Sequence, residues 1–215
     1  MVRVLLAAVV LLAAAAAPLA AQVVEGGDPG AVPAVSPWEF GAALYGFFPP
    51  EDSDIAMPIL RADRGALHFE GRYNYEAPDT GSLFVGWNFE TGSALRFEGT
   101  AMLGATFGDL EGIAPGYEVT LSYGKFSLYD EGEYVVDLDD SDGNFLYNWL
   151  ELSYVPVDWL RVGLVAQRTR AYETGLDVQR GLLAGVTYKN AELVVYIFDP
   201  GGEDAMVACG LSAWW

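Results

Sequence analysis

Histidine and cysteine occur once each in this sequence, at His68 and Cys209, so any reaction that needs an imidazole or a thiol must use these two side chains. A Ser-His-Asp hydrolase requires its serine within hydrogen-bond reach of the histidine. The neighbours of His68 on its own face of an extended strand are Ala66 and Glu70, and neither is a serine. We therefore predict that His68 makes structural hydrogen bonds, that Cys209 is a small wall residue, and that the protein is not an enzyme.

The segment 137–144, DLDDSDGN, has a composition that suits calcium. An EF-hand loop requires an acid at position 1, Gly at position 6 and Glu at position 12. With Gly143 at position 6, Leu138 falls at position 1 and Trp149 at position 12, so the motif is not an EF-hand. Weak binding of Ca²⁺ or Mg²⁺ stays open, but a solvated turn is favoured, and we expect neither a metal nor a cofactor. The four candidate carboxylates are Asp137, Asp139, Asp140 and Asp142.

Most other charged residues stand at alternate positions among apolar residues. In the clearest run, Leu67, Phe69 and Tyr73 alternate with Glu70 and Arg72. Because successive side chains of a β-strand point to opposite faces, such a segment has one apolar and one polar surface. The charged residues that we assign to the polar faces of the segments are Glu39, Glu70, Arg72, Arg96, Glu98, Glu118, Glu131, Glu133, Glu151 and Arg161.

This alternation recurs from Pro37 to the end of the chain, and Gly, Pro, Asp and Asn separate the repeats. The pattern is typical of antiparallel strands, and no helical periodicity competes with it. Pro58 weakens the second segment, which leaves the strand count open between ten and twelve. The predicted strands are 37–48, 54–62, 65–76, 81–90, 93–105, 115–124, 125–136, 145–155, 158–170, 178–188, 191–199 and 205–215.

The connections between these segments alternate in length and charge. Those after odd-numbered strands are long and acidic: PPEDSD, EAPDTGS, FGDLEGIAP, DLDDSDGN, AYETGLD and DPGGED. Those after even-numbered strands are the short segments ADRG, ETGS, GK, PVD and KN, and both lysines, Lys125 and Lys189, lie in them. Transmembrane barrels have short periplasmic turns and longer extracellular loops. The sequence therefore predicts an all-β, up-and-down antiparallel transmembrane barrel of about twelve strands with both termini in the periplasm.

The N-terminal segment has the layout of a secretory signal peptide. Arg3 provides a positive charge, residues 4–17 are apolar, and residues 18–21 resemble a cleavage zone. We predict a signal peptide over 1–21, a periplasmic lead-in over 22–36 and the barrel over 37–215. The formal net charge of −19 repels phosphates and excludes nucleic acid as a partner.

Aromatic residues cluster where the predicted strands meet the turns, as rings that straddle a membrane interface do. On the short-turn side these are Trp38, Trp87, Phe89, Tyr123, Phe126, Tyr154, Trp159, Tyr188 and Trp215. On the long-loop side they are Phe47, Phe48, Tyr73, Tyr75, Phe107 and Tyr134.

The final segment, AMVACGLSAWW, has apolar residues at alternate positions before its terminal aromatic residue. It resembles the C-terminal strand of bacterial outer-membrane β-barrel proteins of the small porin-like, OmpA or OmpW type. The resemblance extends over 37–215 as architecture but covers only this strand as a motif. It implies recognition by the barrel-assembly machinery, and partners among outer-membrane lipid and lipopolysaccharide. The residues that match are Val207, Cys209, Leu211, Ala213 and Trp215.

The polar faces would then line a lumen with an excess of acid. One hypothesis is a narrow passive channel that prefers cations; another is a closed structural barrel that binds through its acidic loops. Twelve strands lie between the filled eight-stranded and the open sixteen-stranded barrels. A lipid-modifying hydrolase is least favoured, because His68 would face inward near the periplasmic end. Arg168, Arg170 and Arg180 lie near the outer rim and suit lipopolysaccharide phosphates.

Overall fold

The computed structural model describes residues 36–50, 53–139, 143–171, 177–202 and 205–215. These residues form one closed antiparallel barrel of twelve strands, which confirms the predicted fold class. The predicted signal peptide lies outside the described residues. The strands are β1 (Glu39–Phe48), β2 (Ile55–Arg64), β3 (Leu67–Tyr73), β4 (Thr80–Thr91), β5 (Leu95–Gly108), β6 (Gly112–Tyr123), β7 (Phe126–Asp137), β8 (Phe145–Val157), β9 (Leu160–Ala171), β10 (Asp177–Tyr188), β11 (Ala191–Phe198) and β12 (Met206–Trp214).

The barrel closes where β1 pairs with β12. Eight residues of each strand are in register, from Gly41 opposite Trp214 to Phe48 opposite Val207. Phe40 and Trp215 extend this pairing, since each donates its main-chain N–H to the carbonyl of the other, at 2.8 and 2.9 Å. Closure gives every strand two neighbours, so no edge leaves its backbone groups without partners.

The outer surface is apolar along the height of the strands. Leu60, Leu83, Leu103, Leu164 and Leu182 are all at least half exposed. All nine aromatic residues that the sequence places on the short-turn side are also exposed, so they form a ring on the outside of the barrel. Among the described residues, no helix is long and apolar enough to cross a membrane.

The connections alternate as predicted, with one exception. The turns after even-numbered strands contain two or three residues, and most of the others contain five to seven. The nine-residue connection predicted between β5 and β6 is wrong, because only residues 109–111 join these strands. The glycines and Pro115 suggested a loop, but Pro115 lies within β6 at a point where β6 does not pair with β7, so its missing N–H breaks no bond there.

Pro58 is tolerated in β2 for a similar reason. It stands opposite Leu44 of β1, while the pairing of β2 with β3 begins one residue later, at Ile59 opposite Arg72. A proline one residue beyond a ladder removes no donor that the ladder uses. The strand count is therefore twelve and not ten.

Two apolar clusters fill part of the interior. One packs against the inner faces of β8–β12, and the other packs inside β4–β7 beneath the connection that carries Leu110. The first cluster comprises Trp149, Val165, Leu183, Val194, Tyr196, Phe198, Met206 and Ala208. The second comprises Phe84, Met102, Leu110, Ala114 and Val135.

Candidate channel lumen

Five charged side chains form a continuous ion-pair chain inside the barrel, in the order Glu118, Arg61, Glu70, Arg72, Glu133. Arg61 contacts Glu70 through Nε, and its Nη2 lies 2.6 Å from Oε1 of Glu118. Arg72 contacts the other oxygen of Glu70, and its Nη1 lies 2.9 Å from Oε2 of Glu133. The chain therefore contains one more carboxylate than guanidinium groups.

The ion-pair chain spans the lumen instead of following its wall. Its bonds join β2 to β6 and β3 to β7, and each of these pairs is separated by three strands along the wall. The Arg72 guanidinium also lies over the rings of Tyr75 and Phe84, at 4.3 and 4.5 Å from their centroids. These contacts hold Arg72 in a buried position. There it links the side of the lumen that is filled by apolar residues such as Phe84 to the side that remains open.

A second group, the Arg161 cluster, lies on the wall formed by β8, β9 and β11. Arg161 contacts one oxygen of Glu151 and binds both oxygens of Glu192, each at 2.9 Å. The other oxygen of Glu151 accepts hydrogen bonds from Trp149 Nε1 at 2.9 Å and from the Tyr196 hydroxyl at 2.7 Å. This cluster also contains one more carboxylate than guanidinium.

Between the ion-pair chain and the Arg161 cluster lies a cavity of about 480 Å³. Its lining extends from Glu39, the first residue of β1, to Phe47, the last but one, so it follows nearly the whole of that strand. Arg61 and Arg161 border it with side chains that are 35% and 21% exposed, whereas the Glu70 carboxylate behind Arg61 is fully buried. The cavity is also lined by Tyr45, Tyr129, Glu131, Tyr147 and Trp149.

Glu131 differs from Glu151, the carboxylate of the Arg161 cluster that borders this cavity. It accepts a hydrogen bond from the Tyr129 hydroxyl. In the described part of the chain, no basic nitrogen lies within 4.0 Å of its carboxylate. The hydrogen bond fixes the orientation of the carboxylate, and none of the described basic groups forms a direct ion pair with it.

Eight of the ten predicted lumen charges lie in these two groups or beside the cavity: Glu39, Glu70, Arg72, Glu118, Glu131, Glu133, Glu151 and Arg161. Arg96 and Glu98 do not join them. These two pair with each other at 3.0 Å, and Arg96 also pairs with Glu90 at 2.9 Å, close to the short β4–β5 turn. Alternation assigns a residue to a face but not to a height, so it could not exclude this pair.

The sequence reasoning missed Arg61, which links two carboxylates of the ion-pair chain, and Glu192, which binds Arg161. Arg61 shares its face of β2 with Met57 and Ile59, so that face reads as apolar. The apolar Leu60 on the opposite face is the sequence signal that could have identified the inward side. In the structure it is 63% exposed on the outer surface. Glu192 stands only two residues after the short turn before β11, where we expected interface residues.

His68 faces inward and is buried, as the alternation predicts. Its Nδ1 lies 2.8 Å from Asp63 Oδ1, and the same oxygen accepts a hydrogen bond from Asn88 at 2.6 Å. Cys209 lies on the outward face of β12 opposite Gly46, and it is a free thiol. The hydrogen bonds of His68 and Asn88 to Asp63 link β2, β3 and β4 near the short-turn end of the barrel.

The acidic loop after β7 is only partly described, since Asp140 and Asp142 lie outside the described residues. Asp137 accepts a hydrogen bond from the main-chain N–H of Asp139 at 2.8 Å, and its own N–H donates to Asn144 Oδ1 at 2.8 Å. Such bonds are typical of an Asx turn. Among the described residues, no group of three or more His, Cys, Asp or Glu side chains is arranged to hold a metal ion.

The connection between β3 and β4 folds into the long-loop mouth of the barrel. Glu76 accepts a hydrogen bond from the Ser82 hydroxyl at 2.6 Å, and Ala77 packs against the second apolar cluster. Burial raises the pKa of the Glu76 carboxyl above its ordinary value. Phe47 and Tyr75, assigned from sequence to the outer aromatic ring, also point inward: Phe47 contacts Trp149, and Tyr75 contacts Tyr147. Both assignments were wrong: Phe47 lies on the inward face of β1 with Tyr45, and Tyr75 lies beyond the end of β3 in the connection that folds into the mouth.

A closed twelve-stranded barrel with an apolar outer surface and a charged, partly open lumen has the architecture of outer-membrane porins. Solved structures are similar to this chain in fold. The "KdgM porin" superposes with a TM-score of 0.59 at 8% identity, over 80% of this chain and 98% of that chain. The same porin "in complex with disordered oligogalacturonate" gives 0.59 at 7% identity, with the same coverage. Omp33 of Acinetobacter baumannii gives 0.46 at 12% identity, over 84% and 98%.

At the level of sequence, no protein-family model and no curated protein matches the chain. The structural likeness therefore concerns the fold, a closed antiparallel barrel similar to that of the "KdgM porin".

Proposed function

We propose that the protein is a narrow passive channel of the bacterial outer membrane that prefers cations. The observation that carries the proposal is the cavity along β1, whose lining includes Glu39 and Trp214 toward the short turns and Phe47 and Tyr75 toward the long connections. The charges beside it support cation preference, because both ion-pair groups have an excess carboxylate and Glu131 has no direct ion pair with any described basic group. A lumen with excess negative charge attracts cations and repels anions.

Purified protein in planar lipid bilayers tests this proposal. We expect discrete conductance steps, and in a KCl gradient a reversal potential of the sign that shows K⁺ to be more permeant than Cl⁻. An electrically silent barrel, or one that prefers Cl⁻, would contradict the proposal. Migration of the unheated protein on SDS gels as a compact species shows that the barrel is folded in each preparation.

A second candidate is a closed structural barrel that acts through its acidic loops. The ion-pair chain favours it, because Arg61 and Arg72 cross-link strands that are not neighbours and so narrow the lumen. A closed barrel would be silent in bilayers, and deletion of loop residues would leave it folded but remove its surface interaction.

The placement in the membrane belongs to the same proposal. Acidic long connections outside and short turns inside put both termini in the periplasm. We propose that the C-terminal strand is read by the assembly machinery, and that lipopolysaccharide phosphates contact Arg168 and Arg180, which are exposed on the outward face of β9 and β10. The side chain of Arg170 lies outside the described set.

A further inference from the structure

The cavity presents unequal charges to a solute. Arg61 and Arg161 border it, but each already contacts two carboxylates, Glu70 and Glu118 for the first and Glu151 and Glu192 for the second. An anion would have to compete with these contacts for either guanidinium. The site therefore has little unpaired positive charge to offer an anion.

Glu131, in contrast to the two arginines, is a charged group without a direct ion pair. Its carboxylate borders the cavity, is oriented by the Tyr129 hydroxyl, and has no basic nitrogen within 4.0 Å among the described residues. Partial burial weakens the screening of its charge by water, so a cation that enters the cavity meets an attractive and unpaired group. Glu39 also lines the cavity without a direct ion pair among the described residues, but it is exposed, so a positively charged solute gains more at Glu131.

Aromatic side chains surround the same position. Trp149 stands directly opposite Glu131 in the β7–β8 register, and Tyr129 is its neighbour two residues away on the same face. Tyr147 and Tyr45 also line the cavity. Aromatic faces attract cations, and rings on several sides of one carboxylate favour an ammonium group that has an organic body over a hydrated metal ion.

Part of the cavity lining is apolar and suits an apolar portion of the solute. Phe47, Met57 and Ile59 line the cavity above the carboxylate, and they have no polar group to offer. A volume of about 480 Å³ falls within the roughly 300–1,000 Å³ typical of small-molecule sites. The cavity therefore suits a compact solute with one charged end and one apolar end.

We propose that the cavity beside Glu131 binds organic cations in which an ammonium group is joined to an apolar or aromatic body. Glu131 pairs with the charge, while Tyr129, Tyr147 and Trp149 surround it. The inference rests on the proposed cation channel and specifies the solute that this channel retains on its way through.

The test uses benzyltrimethylammonium, which is charged at every pH, and its neutral counterpart benzyl alcohol. We expect the cation to reduce the K⁺ current through the wild-type protein, and benzyl alcohol to have no effect at the same concentration. Glu131→Gln should raise the blocking concentration about tenfold, equivalent to about 1.4 kcal/mol, and Glu131→Asp should restore part of the block. Glu111→Gln, the same change in an exposed connection that does not border the cavity, is the matched control and should block like wild type.

Isothermal titration calorimetry on the folded protein in detergent separates the two proposals. If the barrel conducts K⁺ but Glu131→Gln is blocked or binds as wild type does, the organic-cation site is wrong and the channel stands. If the barrel is silent but binds the cation in a Glu131-dependent way, the channel is wrong and the site stands. Equal binding of benzyl alcohol and benzyltrimethylammonium would also overturn the site, because the charge would then contribute nothing.

Discussion

Individual charged residues in this lumen differ sharply in what they stabilise. Arg72 is buried, joins Glu70 to Glu133 and lies between two aromatic rings. Arg96 also contacts two carboxylates, but its side chain is 53% exposed. Removal of one partner from a buried ion pair leaves the other charges without compensation, whereas an exposed pair exchanges its partner for water.

We therefore predict that Arg72→Gln lowers the free energy of unfolding by about 3 kcal/mol or more. Arg96→Gln should lower it by less than about 1 kcal/mol. Urea unfolding of the protein in lipid vesicles, followed by tryptophan fluorescence, measures both. Equal losses in the two variants would show that the ion-pair chain adds nothing beyond an ordinary surface pair.

The limits of sequence reasoning are clear at this scale. Alternation identified the faces of Glu70, Arg72 and Arg161, because neighbouring positions in a strand differ only in direction. It could not identify their partners, since the bond from Arg72 to Glu133 joins strands whose relative heights depend on the stagger of the whole barrel. Arg96 was misplaced for this reason, whereas Arg61 was missed because its face of β2 reads as apolar.

At the scale of the strands, aromatic rings repeatedly cover the glycine that stands directly opposite them. A Cβ built on Gly210 would lie 2.5 Å from Tyr45, and one on Gly132 would lie 2.5 Å from Tyr117. Such a ring shields backbone that glycine leaves open, and it fixes the register of two strands. The same arrangement occurs at Gly81 with Phe107, Phe84 with Gly104, and Phe89 with Gly99.

Gly210→Ala and Gly132→Ala form a matched pair because their rings lie on opposite faces of the wall. The new methyl group of Gly210→Ala points inward, so we predict that it lifts the Tyr45 ring from the wall into the cavity and reduces the K⁺ conductance. Gly132→Ala displaces Tyr117 on the lipid side and should leave the conductance unchanged. Each costs about 1–3 kcal/mol of stability. Single-channel recordings measure the K⁺ conductance of the two variants. An equal conductance in both would contradict the prediction.

The order of the strands and a count of about twelve could be predicted because each strand carries its own alternation and each turn its own breakers, although Pro58 left ten strands open. The connection between β5 and β6 could not, because Gly108, Gly112 and Pro115 are turn residues by type and strand residues in this position. Whether glycine ends a strand or accommodates a neighbouring ring depends on the residue opposite, which sequence order does not reveal.

The two ends of the barrel differ in charge, and this difference indicates how the molecule is oriented in the membrane. The long connections are acidic, while Lys125 and Lys189 both lie in short turns, where Lys125 donates a hydrogen bond to the Pro156 carbonyl at 2.6 Å. The exposed aromatic ring lies on the short-turn side of the apolar surface. The charge pattern and the β12–β1 closure both fit insertion with the short turns and the termini on the periplasmic side.

Cysteine labelling in whole Gram-negative cells tests this orientation. In a Cys209→Ala background, Asp109→Cys places a thiol in the exposed β5–β6 connection, and Lys125→Cys places one in the exposed β6–β7 turn. A maleimide on a polyethylene glycol chain too large for porins should label Asp109→Cys in intact cells, because the short β5–β6 connection lies at the same end of the barrel as the long acidic connections, which we propose face outward. Lys125→Cys should react only after the outer membrane is permeabilised. The reverse pattern would place the acidic connections in the periplasm and would invert the topology inferred from them, while labelling of both sites in intact cells would show that the barrel does not separate two compartments.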